Sequence, residues 1–455
     1  MNDSTNTTSP AKTTCIIGAG ISGLAHAWEL KRHHQECIVL EKDEQPGGAI
    51  RSHRIDQYVA DEGPHSIQID SAKIEDFLNS IPGLQSSMVE SSPEAKNRFI
   101  VRDDKLHPVP LKPIPIMRSK LWSFKGKLRA LKEWFIKPGP ADSEESIANF
   151  ARRRLGDELY NYGINPMVAG IHAGDPEALS LRHAFPKLHA FEQENGGLLR
   201  GLKNQRKSNK PKQRILSFEN GMGELSEKLA SALGNSLHTS ISIKTIRSTS
   251  EGWTITWSDS EDNEHEDSFA QLILAVPAHQ LLNLPFDPVI RDRMIEFRDI
   301  EYAPVSVLTV GFKRLEIEHP LDGFGFLVPE QEKMKMLGVL FPSSTFPKRT
   351  YEDEVMLAAF FGGARDPDIA AKDTETLKSI LLPELEKLLG LSGNPTFVHH
   401  KYWKKGIPQY TLGYDEHLEK MKQVELSYPG LKLVGNYRTG ISVSACIEAA
   451  LNQSE

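Results

Sequence analysis

Residues 13–51, TTCIIGAGISGLAHAWELKRHHQECIVLEKDEQPGGAIR, constrain the fold more than any other stretch of the chain. The apolar run Cys15-Ile16-Ile17 predicts a buried strand. Gly18-Ala19-Gly20-Ile21-Ser22-Gly23 makes a G-x-G-x-x-G turn, and Ile21, Leu24, Ala25 and Trp28 then share one face of a helix. A second strand, Cys37-Ile38-Val39-Leu40, ends in Glu41. Each part has a role in binding a dinucleotide. Gly18 permits the tight turn, Gly20 lets backbone approach a pyrophosphate, and Gly23 lets helix and strand pack closely. The helix N-terminus offers unpaired N–H groups and the positive end of its dipole to phosphates. Glu41 stands where an acid takes ribose hydroxyls. A glycine turn alone would be weak evidence; here strand, helix, second strand and acid fall in sequence.

Gln45-Pro46-Gly47-Gly48-Ala49-Ile50-Arg51 follows the acid. The paired glycines allow a close backbone approach, and Arg51 adds a fixed positive charge. With this extension the unit resembles the FAD-binding start of the flavin amine oxidase superfamily. The resemblance implies FAD as cofactor and contacts from Ala19, Ile21, Ser22, Lys42 and Ala49. It also places Gly63-Pro64-His65-Ser66, in YVADEGPHSIQI, near the flavin ring. A loop histidine bonded to backbone is the plainer reading of His65, and no catalytic residue is assigned.

The chain has 455 residues, enough for two or three structural units. Its net charge of −7 does not indicate nucleic-acid binding. The three cysteines, Cys15, Cys37 and Cys446, contain no C-x-x-C pair, which fits a reducing, cytoplasmic setting and no metal site. Residues 1–12 are polar and expected to be disordered. They lack the basic region and apolar core of a signal peptide, and no apolar run is long enough to span a membrane.

Residues 111–137 carry eight Lys or Arg and one acid, Glu133. Leu121, Phe124, Leu128, Leu131 and Phe135 step at helical spacing, flanked by Trp122 and Trp134. Such a helix can lie on an anionic membrane surface, on its cytoplasmic face, or pack its stripe on its own protein; both readings stay open. Residues 146–160 predict a helix capped by Ser146. Gly170 and Gly174 have no place in a regular helix and suggest backbone approaching a bulky ligand. Asp175-Pro176 reads as a helix N-cap with proline at the first helical position. Residues 200–214 hold seven basic groups and no acid, and predict a solvated loop.

From 215 to 285 an α/β pattern returns, with strands at Ile241–Ile246, Trp253–Trp257 and Leu272–Val276. Residues 286–395 predict a mixed sheet and a helix from about Asp373 to Leu389; a sheet wall of large apolar residues suits a flat, greasy substrate. Near the C-terminus, Leu431–Val434 predicts a strand before Gly435, and Gly440-Ile441-Ser442-Val443 opens a last helix. Its N-terminus could stabilise negative charge on a reduced flavin.

RFIVRDDKLHPVP, NPMVAGIHAGDPEALSLRHAF, GFGFLVP with LGVLF, and YWKKGIPQYTLGY are together similar to the protoporphyrinogen oxidase family, a likeness running from about 13 to 450. It implies an α/β and α+β fold: a glutathione-reductase-like FAD-binding domain built from segments 13–90, 206–285 and 396–455. It also implies a mixed-sheet substrate domain from 91–110 and 286–395, and a helical, membrane-contacting insertion at 111–205. Residue by residue, Leu327 and Leu340 would sandwich one pyrrole ring, Phe360 would stack on another, and Arg98 would meet a propionate. Backbone at Ala169 and Gly170 would line the pocket, and Ile243 would contact adenine. On sequence pattern alone the leucines and Phe360 are ordinary core, and Arg98 reads equally as a clamp for a carboxylate or as a solvated arginine at a strand start. The activity implied is oxidation of protoporphyrinogen IX by six electrons, with a methylene-bridge hydride passing to flavin N5, oxygen as acceptor and hydrogen peroxide released. Coproporphyrinogen III oxidation is the alternative; a flavin amine oxidase and a non-catalytic FAD-binding protein are the remaining classes. A homodimer is left open.

Overall fold

The computed structural model describes residues 12–110, 113–140, 143–207 and 213–452. Residues 1–11 of the expected disordered N-terminus lie outside this set, and Lys12 already belongs to the first strand, Lys12–Ile17.

Two seven-stranded sheets organise the chain. In the first, Leu237–His238, Cys37–Leu40, Lys12–Ile17, Glu264–Leu274 and Leu431–Leu433 run parallel, and Gly252–Ser258 and Ser242–Thr249 continue it as an antiparallel meander. All four residues of Cys37–Leu40 are buried. A parallel strand covered on both faces must be apolar throughout, which is why these runs show no alternation. One face packs against helices Ile21–Arg32, Gly223–Leu233 and Val443–Leu451, in a core that joins Ile16 and Val39 to Leu24, Leu225 and Ile447. The other face covers Cys15, Leu40, Trp257, Leu274 and Tyr437.

The second sheet runs in the order Phe397–Pro408, Tyr302–Lys313, Glu354–Gly362, Met336–Leu340, Gly323–Leu327, Asn97–Arg102 and Lys105–Pro108. Its strands alternate in the usual period of two. Leu308, Val310, Leu357, Phe361, Phe326 and Val339 meet Leu377, Leu381 and Leu385 of helix Thr374–Leu389. Asp373 caps that helix by accepting from Thr376 N at 2.8 Å. The opposite face packs Met356 with Tyr58 and Phe397, and Val305 and Val307 with Ala173. Strand Phe397–Pro408 belongs to this sheet, antiparallel to Tyr302–Lys313.

Between Pro113 and Lys207 the chain is mostly helical. The single helix expected across 121–135 is instead Phe124–Leu131 followed by the short turn Lys132–Phe135. Ser123 stops it from starting earlier, its hydroxyl accepting from Gly126 N at 3.0 Å, and Leu121 is buried outside the helix. Residues 200–207, expected as loop, continue helix Leu198–Lys207; 208–212 lie outside the described residues. The helix forms because the carboxylate of Glu133 accepts from Leu198 N at 2.7 Å and Leu199 N at 3.2 Å, supplying a cap from another element. Glu133 is also paired with the buried Arg154 at 2.6 Å. Asp175 caps a turn and not a helix, accepting from Glu177 N at 2.9 Å; the next helix begins at Leu181. No described helix is long and apolar enough to cross a membrane.

Candidate active site

The strand Lys12–Ile17 delivers Gly18, Ala19 and Gly20 to the end of the parallel sheet, where Ile21, Ser22 and Gly23 start the helix. A Cβ on Gly23 would stand 1.9 Å from Gly18 O, so helix and turn pack as closely as glycine allows. A Cβ on Gly20 would meet nothing within 4 Å. That glycine therefore faces open space at the helix N-terminus, the room a pyrophosphate requires. No side chain caps this helix, which leaves its first N–H groups for a ligand.

Glu41 is held on this turn. One carboxylate oxygen accepts from Ala19 N at 2.6 Å and the other from Asp43 N at 2.9 Å. The backbone of Glu41 also bonds to His238 O and Ile241 N, which brings the start of strand Ser242–Thr249, and with it Ile243, beside the acid. Lys42 is exposed next to it. Gly47 N donates to Ala19 O at 2.7 Å, so the Gly47-Gly48 pair lies directly on the glycine turn, followed by Ala49 and Arg51. Arg51 donates to Asp43 at 3.0 Å and keeps its Nε buried without a partner. Gly435 follows strand Leu431–Leu433. Ile441 and Ser442 precede helix Val443–Leu451, where the Ser442 hydroxyl accepts from Ala445 N at 3.0 Å. Val443 shares a core with Ala19 and Leu24. The open cradle at Gly20, the uncapped helix and the fixed acid fit FAD, and these elements converge on one end of the parallel sheet.

The opposite face of the second sheet supplies the other half, with Phe360 packed beside Ala173, Val305 and Val307. Leu327 pairs with Gly338, which pairs with Phe360, so these three stand in a row across neighbouring strands. Leu340, two residues after Gly338, points the same way. Ile100 is the partner of Leu327 in the next strand, and Arg98, two residues earlier, reaches the rim of this face. Leu327, Leu340 and Phe360 are all half-buried. The exposed Arg98 guanidinium lies 5.1 Å over the ring of Phe324 and donates to Lys96 O at 3.4 Å, and among the described residues no carboxylate pairs with it. Helix Asn165–His172 covers the face with Ala169 and Gly170. Gly170 is thus inside a regular helix, contrary to expectation; its close neighbour is the Leu327 side chain.

His65 links the two halves. It follows Gly63 and Pro64 from the FAD-binding side, with Ser66 after it, and its ring meets Phe360 edge-on with centroids 5.6 Å apart. Both ring nitrogens are buried without a hydrogen-bond partner, and burial holds its pKa below the ordinary imidazole value. Its Nδ1 is 3.9 Å from Asp61 Oδ2, and that oxygen is 3.4 Å from the buried Arg349. Sequence reasoning missed Asp61 and Arg349. Asp61 belongs to the quoted YVADEGPH stretch, but nothing local marks Arg349, which arrives from a distant loop.

One described cluster, His53, Glu62 and His399, has the composition of a metal site. Its imidazoles are stacked with planes only 7° apart, so their lone pairs cannot converge on an ion, and Lys401 already neutralises Glu62 at 3.2 Å. It reads as a hydrogen-bonded ionic cluster.

Fold and site together describe a mixed α/β protein with a dinucleotide cradle at the end of one seven-stranded sheet and an apolar row on a second. Comparison with known proteins agrees. Residues 21–455 match the family of flavin-containing amine oxidoreductases. The mitochondrial protoporphyrinogen oxidase of Nicotiana tabacum is 33% identical, over 98% of this chain and 95% of its own length. The coproporphyrinogen III oxidase of Staphylococcus aureus is 26% identical, over 96% of this chain and 97% of its own. A crystal structure of a candidate protoporphyrinogen oxidase from Exiguobacterium sp. 255-15 shares the fold with a TM-score of 0.80, at 23% identity and 98% coverage of both chains. The chain belongs to the flavin-containing amine oxidoreductase family. It is an oxidoreductase with FAD as its cofactor.

Proposed function

We propose that the protein oxidises protoporphyrinogen IX to protoporphyrin IX in haem biosynthesis. The observation that carries this is the half-buried row Leu327, Leu340 and Phe360, roofed by Ala169 and Gly170 and rimmed by the unpaired cation of Arg98. A porphyrinogen needs apolar walls, an aromatic partner and a cation for its carboxylates. Full-length similarity to the tobacco enzyme supports the same substrate class.

Bound FAD supplies the redox chemistry: six electrons leave the substrate in three two-electron steps and reduce three dioxygen molecules to hydrogen peroxide. The chain's residues bind and orient. Gly18 to Gly23 and the helix behind them hold the pyrophosphate, Glu41 takes ribose hydroxyls, and Ile243 flanks the adenine. Gly47 to Arg51, Gly63 to Ser66, Gly435 and Ile441 to Val443 surround the rest of the cofactor. The sheet face holds the macrocycle flat, with Gly170 of the covering helix set against Leu327. We assign strand Phe397–Pro408 to the substrate domain, so the third FAD-binding segment starts after Pro408.

Coproporphyrinogen III is the second substrate considered, on the strength of the Staphylococcus relative. It has four propionates where protoporphyrinogen has two, and would call for further cations beside Arg98. The experiment is aerobic turnover of FAD-loaded protein on both porphyrinogens, followed by porphyrin fluorescence. Preference for protoporphyrinogen supports the reading. Preference for coproporphyrinogen moves the substrate, and turnover of neither removes porphyrinogens altogether.

The site of membrane contact is part of this proposal. Phe124 is 66% and Phe135 84% exposed, and Met117, Leu128, Leu131 and Leu202 are exposed near them. Lysines and arginines surround these side chains, with Arg200 and Lys203 stacked on Trp134. Apolar residues ringed by cations match the boundary of an anionic bilayer. The peripheral site lies on the cytoplasmic face. Co-sedimentation with anionic vesicles, lost in neutral vesicles and in a Phe124→Ser/Phe135→Ser variant, is the expected result; equal recovery with all vesicles rejects the contact.

A further inference from the structure

Oxidation of a porphyrinogen must dispose of protons as well as electrons. Each two-electron step breaks one methylene-bridge C–H bond and one pyrrole N–H bond; after the third, the remaining methylene bridge passes one proton to a ring nitrogen, which leaves the four methine bridges and two N–H groups of the porphyrin. The C–H hydrogen leaves with the electron pair for the flavin, whose electrons end on dioxygen. The N–H hydrogen leaves as a proton and needs an acceptor.

His65 is the described group placed for this. It is buried, both its nitrogens lack partners, and it touches Phe360, the ring proposed to stack on the substrate. A buried, unsatisfied polar side chain is costly, and such exceptions call for a cause. Beneath it Asp61 is fully engaged. Asp61 Oδ1 accepts from the Ser52 hydroxyl at 2.6 Å and Met222 N at 2.7 Å, and Oδ2 lies between Arg349 and His65 Nδ1. Arg349 is itself fixed through Ser217. With Nδ1 towards Asp61, the free nitrogen is Nε2.

We propose that His65 Nε2 accepts the pyrrole N–H proton in each oxidation step, with Asp61, held by Arg349, as the residue that positions the imidazole. This rests on the porphyrinogen reading of the site. Asp61 and Arg349 are the two charged groups that face His65, from its own segment and from the loop after Phe346. Their charges cancel, so Asp61 orients the ring and Arg349 prevents it from becoming a strong base. Burial also weighs against the imidazolium. A weakly basic acceptor takes a proton and gives it up again, as three successive steps on one substrate require.

The test uses the holoenzyme. Anaerobic flavin bleaching by the preferred porphyrinogen is followed in wild type, His65→Ala and His65→Gln, with FAD content and binding of the porphyrin product measured in parallel. The expected result is a loss on the order of 100-fold in bleaching rate for both variants, with cofactor and porphyrin binding retained and imidazole restoring His65→Ala. Asp61 raises the His65 pKa, so Asp61→Asn moves the acid limb of the rate profile to lower pH. Wild-type rates in both His65 variants overturn the proposal, as does a loss that only tracks cofactor or porphyrin binding and does not respond to imidazole. If wild type itself oxidises neither porphyrinogen, the substrate reading has failed, and histidine ¹⁵N NMR of the holoenzyme decides on the residue. A neutral His65 at pH 7 whose midpoint falls in Asp61→Asn retains it as a proton acceptor; a charged His65, or one indifferent to Asp61, removes it.

Discussion

Leu327 occupies the space that a side chain on Gly170 would need: a Cβ there would lie 2.4 Å from Leu327 Cδ2. The helix over the site and the sheet beneath it meet at this point without a methyl group to spare. Gly170→Ala is therefore a specific probe. Alanine favours the helix by about 1 kcal/mol, which offsets a Leu327 side chain pushed off its rotamer at about 0.5–1.5 kcal/mol. Stability should hardly change. The displaced leucine intrudes on the apolar face, and a misfit of one methylene in such a pocket is worth roughly 10–200-fold in kcat/KM. Melting temperature beside kcat/KM checks both halves; a large loss of stability with unchanged kinetics would place Gly170 outside the pocket.

Arg98 stands at the rim of the same face, over the ring of Phe324 and donating to Lys96 O at 3.4 Å. A charge-assisted bond to a propionate contributes about 1.5–3 kcal/mol, so Arg98→Ala should raise KM roughly 10- to 100-fold. FAD absorbance should be unchanged, because no cofactor-binding element is near it in sequence. Unchanged KM would take Arg98 out of substrate binding.

How far these features were legible depends on how local their causes are. The glycine turn, its helix and Glu41 lie within one contiguous stretch, and the hydrogen bond from Ala19 N to Glu41 completes what the spacing implied. The row of Leu327, Gly338 and Phe360 needed the register of three strands, which no local pattern contains. Helix Leu198–Lys207 reads as a basic loop because its cap, Glu133, is 65 residues away. Leu121 continues a helical spacing but falls outside the helix, since Ser123 sets the start by capping. Asp61 and Arg349 meet only in the folded chain.

The ionic cluster at Glu62 makes a pH prediction. Hydrogen bonding from His399, helped by Lys401, holds the Glu62 carboxyl down to about 2 from an ordinary 4.5, against the opposing effect of burial. A depressed carboxylate stabilises the folded state fully above its unfolded pKa and loses that contribution as pH falls through the folded one. The contribution should thus fade between about pH 4.5 and 2. His399→Ala removes the largest cause, so the melting temperature of that variant should fall less steeply across this interval than that of wild type. Parallel slopes would show that Glu62 is held down by other groups.

Glu133 and Arg154 offer the sharpest test of how the helical region carries its exposed apolar surface. Both side chains are fully buried at 2.6 Å, and Arg154 also pairs with Glu192 at 2.6 Å. Removing one member strands the other charge away from water, which typically costs about 3–5 kcal/mol. Arg154→Ala leaves two buried carboxylates short of a partner, although Glu192 keeps Arg153 at 2.9 Å. Glu133→Ala leaves Arg154 with Glu192 and uncaps Leu198 and Leu199, so helix Leu198–Lys207 should loosen as well. Glu133→Leu combined with Arg154→Met removes both charges. It should be less damaging than the sum of its parts, because neither ion is then left unpaired. A double-mutant cycle by denaturant unfolding gives the coupling, and hydrogen exchange at Leu198 and Leu199 isolates the cap. Strictly additive losses would mean that the two side chains are stabilised separately by their other partners, and that Phe124 to Phe135 are not mounted on this pair.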